Sequence, residues 1–168
     1  MTAKNNIVLI GMPAAGKSTI GVLLAKVLQK NFVDTDLIIQ QKCGCQLQTL
    51  LDNVGLEDFC KIEQDCILGL DCENTVIATG GSAVYSRKAM EKLQQNGIVV
   101  YLHLEFAEIE KRLTNIDTRG VVIAKGQTLA ELYKNRQGLY KKYADITIDS
   151  TGLTHEQTVS MTTKKINN

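Results

Sequence analysis

Short apolar runs alternate with segments of helical period along this chain. Residues 7–10 (IVLI) form an unbroken apolar run, the mark of a strand covered on both faces. Residues 19–28 then carry apolar side chains at helical spacing. Residues 32–33 predict a second short strand, followed by a helix from about Leu37. Between 55 and 70 the apolar positions are Phe59, Ile62, Cys66 and Ile67 or Leu70, again helical spacing. Residues 76–78 predict a third strand, ended by Gly80-Gly81; 98–102 (IVVYL) predict a fourth and 146–148 a fifth, with helical segments between each pair. The polar tail after Thr151 predicts a last helix that frays at its end. Such alternation predicts a parallel sheet with helices on both faces, built as one domain over residues 1–168. The sole proline, Pro13, lies in the first loop, so the helices carry no internal breaker. The least regular stretch is 115–126, NIDTRGVVIAKG; a loop of that length is either a lid or a plain surface loop.

Composition narrows the partners. The chain has 168 residues, 44% apolar and 22% charged, as in an ordinary globular domain with a substantial core. A net charge of +1 offers no footprint for nucleic acid, and the pairs Lys141-Lys142 and Lys164-Lys165 read as solvated surface. No apolar run approaches the roughly 18 residues needed to span a bilayer, so no membrane is expected. The first residues lack a signal-peptide cleavage pattern, and a cytoplasmic protein is expected. Five cysteines (Cys43, Cys45, Cys60, Cys66, Cys72) lie in one short region without paired CxxC spacing. Both histidines, His103 and His155, are far downstream, so reduced thiols are expected rather than zinc or disulfides.

Three motifs carry chemistry. Residues 11–18, GMPAAGKS, match G-x-x-x-x-G-K-[ST] between a strand and a helix. Its glycines turn backbone N–H groups toward phosphate oxygens, Lys17 reaches the β- and γ-phosphates, and Ser18 can bind Mg²⁺. The loop's Gly11, Ala14, Ala15, Gly16, Lys17, Ser18 and Thr19 are the candidate nucleotide-binding residues. The helix opening there favours anions. Asp34 and Asp36 follow at the end of the second strand, where residues two apart project to one side. One carboxylate can serve Mg²⁺ and the other an attacking hydroxyl; Asp36 also suits a helix N-cap. Thr79-Gly80-Gly81-Ser82 ends the third strand on the same sheet edge, where paired glycines allow close approach of a ligand or simply a tight turn.

Taken in order, GMPAAGKSTIG, FVDTD, GLEDFCKIE, ATGGS, TRGVV and YKNRQGLY resemble the shikimate kinases over about residues 5–150. The resemblance implies a three-layer α/β fold of P-loop NTPase type, with a five-stranded parallel sheet flanked by helices. It also implies a helical substrate-binding insert at about 37–65 and a lid at about 115–126. Residue by residue, it implies that Lys17 holds the phosphates of ATP while Ser18 and Asp34 position Mg²⁺. Asp36 is the implied base, and Arg119 the lid arginine that reaches the transferring phosphate. Arg112 is implied to stack on adenine; Gly80, Gly81 and Ser82 line the substrate loop; Arg136 grips the substrate carboxylate. A monomer is implied as well.

The chain departs from that family on the acceptor side. Where the family reads F-R-x-x-E, this chain has Phe59-Cys60-Lys61-Ile62-Glu63, so Cys60 stands at the position of a carboxylate-binding arginine. Losing one charge-assisted contact costs about 1.5–3 kcal/mol, about ten- to a hundredfold in affinity. Ser82 replaces a third glycine; Gly120 and Gly138 replace prolines that would restrain the backbone. Cys60 is either a pocket-wall residue facing the acceptor or a buried structural thiol. The expected function is ATP-dependent phosphorylation of a small-molecule hydroxyl, with shikimate as acceptor. The alternatives are another hydroxylated acid, polyol or amino alcohol, or a nucleotide-binding protein with little catalysis.

Overall fold

The structure, a computed structural model, describes residues 5–114, 121, 123 and 126–167. Five parallel strands, β1 (Asn6–Ile10), β2 (Asn31–Asp34), β3 (Thr75–Ala78), β4 (Gly97–His103) and β5 (Ile146–Asp149), form one sheet in the order β2-β3-β1-β4-β5. Ile7 sits in register with Val76 on one side and Ile98 on the other, which makes β1 the central strand. The helices among the described residues are α1 (Lys17–Leu28), α2 (Thr35–Cys43), α3 (Leu47–Leu68), α4 (Arg87–Asn96), α5 (Phe106–Thr114), α6 (Leu129–Tyr143) and α7 (His155–Ile166).

Side chains of β1 alternate between two cores, as the pleat requires. Ile7 and Leu9 join Ile20 and Leu24 of α1, Val100 and Leu102 of β4, and Val159 of α7. Val8 and Ile10 face the other way, onto Ile67, Met90, Leu93, Tyr101, Leu132 and Tyr140. The predicted three layers are therefore present. A third cluster, Ile39, Leu50, Phe59 and Cys66, lies between α2 and α3, so that pair carries an apolar centre of its own.

Two local expectations need correction. The helix expected from residue 55 begins at Leu47, and Gly55 (φ 80°, ψ 171°) breaks it into two arms. That conformation is essentially open only to glycine, so Gly55 acts as a hinge point and not as a helix start. The inward stripe also differs. Phe59, Glu63, Cys66 and Ile67 are buried, Ile62 only partly, and Leu70 lies beyond the helix. An acidic residue occupies a position that periodicity assigns to the core.

Connectivity places the site. The chain leaves β1 toward β2 on one side, crossing over β3, and leaves β3 toward β4 on the other, crossing over β1. At such a reversal the loops after neighbouring strands part, and a crevice opens at the strands' carboxyl ends. The loops after β1 and β3 border it here.

Candidate active site

The loop after β1 ends at Gly16 (φ 89°), and α1 begins at Lys17, so the free N–H groups of its first turn open into the crevice. Lys17 is buried, and its Nζ donates to the carbonyl oxygens of Gly11 and Met12, both at 2.8 Å. Burial lowers its pKa to about 8, with Asp36 opposing the shift and Arg136 adding to it. Arg112 of α5 donates from Nη1 to the carbonyl oxygen of Ala14 at 3.1 Å and from Nε to Glu108 at 3.0 Å. Its guanidinium is thereby held against the phosphate loop.

A cavity of about 370 Å³ runs from this loop to the tip of β3. Gly16, Lys17, Ser18 and Thr19 line one end; Asp34 and Asp36 the middle; Phe59, Glu63, Gly80, Gly81, Ser82 and Arg136 the other. The Ser18 hydroxyl donates to Asp34 Oδ2 at 2.6 Å. Asp34 also caps α2, its Oδ1 accepting from the backbone N–H groups of Asp36 (3.0 Å) and Leu37 (3.3 Å). The cap role weighed for Asp36 thus belongs to Asp34. Strand β2 ends at Asp34, so Asp36 lies in the first turn of α2 and the strand-alternation argument does not apply. Capping geometry turns both carboxylates into one cavity. Burial raises Asp36 to a pKa of about 6, against the pull of Lys17 and with the push of Asp34.

The sequence alone assigns Glu63 no role. It is 2% exposed, accepts from the Ser82 hydroxyl through Oε2 at 2.5 Å, and has a buried Oε1 without a partner among the described residues. Burial pushes its pKa up to about 7; the Ser82 hydrogen bond, Arg136 and Lys17 hold it down, and Asp36 pushes it further up. Gly80 makes this arrangement possible. A Cβ there would collide with Glu63 Oε1 and sit 2.8 Å from Asp36 Oδ1, so two carboxylates converge over its bare α-carbon. The Gly80 N–H donates to Thr35 Oγ1 at 3.2 Å, which anchors the turn.

Arg136 on α6 is 1% exposed. Its Nε donates to Tyr85 Oη at 3.1 Å, and its guanidinium lies 5.1 Å from that ring's centre, a cation–π distance. Tyr140, one turn further on, donates to the carbonyl oxygen of Gly81 at 2.7 Å and ties α6 to the turn after β3. The sequence pattern marks neither tyrosine, nor does it mark Gln40, Gln46 and Gln48, three glutamines that line the cavity. Glu63 left one signal, an acid on a helix's apolar stripe; the glutamines and tyrosines left none.

Cys60 is half-buried and is not among the residues lining the cavity. Burial raises its thiol pKa, Glu63 raises it further, and Arg136 lowers it, so the sulfur lies within electrostatic range of two charged groups that line the cavity. Arg119, Gly120 and most of the lid region 115–126 lie outside the described residues. All five cysteines are free thiols. Among the described residues no cluster of three or more His, Cys, Asp or Glu could enclose a metal ion, and no helix is long and apolar enough to cross a membrane. The oxygens of Ser18 and Asp34 fit Mg²⁺ held in a nucleotide complex, because that ion takes one or two protein oxygens and fills its remaining positions from phosphates and water.

Known proteins resemble this chain in sequence and in fold. The sequence model of the shikimate kinase family matches residues 13–167. A shikimate kinase of Francisella tularensis subsp. novicida is 38% identical over 167 residues, covering 95% of this chain and 93% of the relative. Among solved structures, a shikimate kinase from Acinetobacter baumannii in complex with shikimate is similar at 29% identity and TM-score 0.83, over 98% of this chain and 93% of that one. The shikimate kinase of Aquifex aeolicus is similar at 27% identity and TM-score 0.80, over 96% of both chains. A thymidylate kinase from Candida albicans, 13% identical with TM-score 0.64 over 97% of this chain and 91% of its own, shares the fold alone. The match along nearly the whole chain shows that this protein belongs to the shikimate kinase family and is an ATP-dependent small-molecule kinase.

Proposed function

We propose that the protein transfers the γ-phosphoryl group of ATP to a hydroxyl of shikimate, forming shikimate 3-phosphate. One observation carries the reading: a single cavity joins the phosphate loop to a buried aspartate and a buried arginine. Phosphoryl transfer asks a protein mainly for positioning and charge stabilisation. Lys17 binds the phosphates, and its lowered pKa is restored by the anionic nucleotide. Asp36 receives the proton of the attacking hydroxyl; a carboxylate raised to about 6 is a stronger base than an exposed one and still ionised at neutral pH. Arg136 pairs with the acceptor's carboxylate, pre-oriented by Tyr85. Gly81 and Ser82 shape the wall beside it.

Ser18 and Asp34 would hold Mg²⁺, which neutralises phosphate charge when bound. Arg112 packs against the nucleotide loop and suits the base of ATP. Arg119 belongs to the proposed lid over residues 115–126, and α2 with the first arm of α3 to the proposed acceptor-binding insert over 37–65. Within one domain of 168 residues, the reading further places the enzyme in the cytoplasm as a monomer. Its product feeds the shikimate pathway of aromatic amino-acid biosynthesis.

Cys60 favours a second reading, because the arginine expected there is absent and the thiol does not line the cavity. The acceptor is then another hydroxylated acid, a polyol or an amino alcohol. The test is ADP release with shikimate and with a panel of such acceptors, alongside Lys17→Met and Asp34→Ala. Turnover with shikimate that both variants remove supports the proposal. Turnover with a different acceptor selects the second reading. No ADP release with any of the acceptors leaves a nucleotide-binding protein. Full activity in both variants overturns the site assignment.

A further inference from the structure

We infer that His103 and Tyr133 are positioning residues: the polar seat they form fixes α6 about its axis and thereby aims Arg136 into the cavity. The inference rests on the proposed kinase reading, in which Arg136 meets the acceptor's carboxylate. On α6, Tyr133 lies about one turn before Arg136 and Tyr140 about one turn after it, so the three share a face of the helix. Beyond Arg136, Tyr140 donates to the carbonyl oxygen of Gly81, in the turn after β3, at 2.7 Å. Before it, Tyr133 donates to the carbonyl oxygen of Leu104, the residue after β4, at 2.8 Å. Strands β3 and β4 flank β1, so the two tethers straddle the strand that feeds the phosphate loop, with Arg136 held between them. Apolar contact is non-directional and lets a helix roll. A hydrogen bond has a preferred distance and angle and does not.

His103 completes the tether at Tyr133. A tyrosine hydroxyl has one proton, and Tyr133 gives it to Leu104, so in the 3.2 Å contact between His103 Nε2 and Tyr133 Oη the ring nitrogen donates. Gln137, also on α6, donates to the same hydroxyl at 3.4 Å. The opposite ring nitrogen, Nδ1, lies 3.4 Å from Asp149 Oδ1 on β5, which also accepts from the Thr151 N–H at 3.0 Å; the histidine ring is thereby oriented from a second strand. Aromatic contacts brace the seat. Tyr101 meets His103 edge-on at 5.7 Å and stacks on Tyr140 at 5.1 Å, and Phe106 of α5 meets Tyr133 edge-on at 5.4 Å. Neither His103 nor Tyr133 lines the main cavity, so their effect on an acceptor passes through α6.

The test is steady-state kinetics with shikimate and ATP for wild type, Tyr133→Phe, His103→Ala, His103→Gln and the double variant Tyr133→Phe/His103→Ala. Tyr133→Phe removes one oxygen and keeps the ring. It is expected to raise KM for shikimate about two- to tenfold, the worth of one hydrogen bond, with KM for ATP unchanged. His103→Ala is expected to do the same, and the double variant to be no worse than the worse single one, because both substitutions break one tether. Glutamine carries an N–H about where Nε2 stands, so His103→Gln is expected to return KM to within about twofold of wild type. Tyr133→Phe with His103→Gln carries the test should His103→Ala not fold. An unchanged KM for shikimate in Tyr133→Phe, KM values for both substrates rising together, or His103→Gln no better than His103→Ala overturns the inference and leaves the kinase reading standing. No turnover of shikimate by the wild type overturns both.

Discussion

Replacing Glu63 by glutamine preserves shape and can keep the hydrogen bond from Ser82, yet it removes the titration. The effect on stability follows from the burial. The carboxyl's ordinary pKa of 4.5 is raised to about 7 in the fold. Below pH 4.5 the group is protonated in both folded and unfolded chains, and its stabilising contribution is fully present. As pH rises from 4.5 to about 7, the unfolded chain ionises while the folded one resists, and stability falls. Above about 7 the loss is complete, at about 3 kcal/mol for a shift of this size. Glutamine escapes that loss. The advantage of Glu63→Gln over wild type should therefore grow between pH 5 and 7.5 and then level off. A domain of this size changes Tm by about 2–4 °C per kcal/mol, so a gain of about 6–12 °C is expected. Asp36, itself raised to about 6, titrates in both proteins. Thermal melts of ligand-free wild type and variant across that range are the assay. A Tm difference that stays flat with pH would refute the reasoning, since it would mean that Glu63 ionises as freely in the fold as out of it.

Other substitutions test separate parts of the argument. Gly80→Ala drives a methyl group into Glu63 and against Asp36; kcat/KM for the acceptor should fall about a hundredfold, as for a small misplacement of reacting groups, with nucleotide binding by calorimetry unchanged. Two glycines should respond with opposite signs in urea denaturation. Gly55→Ala meets no neighbouring atom but forces alanine to φ 80°, costing about 1–3 kcal/mol. Gly138→Ala, exposed in the middle of α6 with open space around it, should stabilise by about 0.5–1 kcal/mol. Cys60→Arg brings a cation to a position within electrostatic range of Glu63 and Arg136; it should lower KM for shikimate about tenfold, and an unchanged KM would place residue 60 outside acceptor recognition.

Much of the fold was legible because it is encoded locally. Runs such as residues 7–10 and 98–102 need no distant partner to read as strands, and the phosphate loop states its chemistry within eight residues. Strand order, and hence the crevice where the β1 and β3 loops part, follows from alternating strands and helices only through the packing of the whole chain. The acidic pair at 34 and 36 was legible as a pair but not in its geometry, because a cap bond rather than the pleat turns Asp36 inward. The lid arginine, Arg119, remains an expectation from sequence resemblance.

Glu63 shows where sequence stops. It is an ordinary acid in an acidic stretch until α3 kinks at Gly55, buries its inner face, and meets Ser82 and Gly80 from the far end of β3. The pattern along the chain decided which elements form, since hydrophobic period and backbone preference act between near neighbours. Tertiary structure alone decided which carboxylate loses its water and which oxygen is left to a ligand, because desolvation and hydrogen bonding depend on groups distant in sequence and adjacent in space.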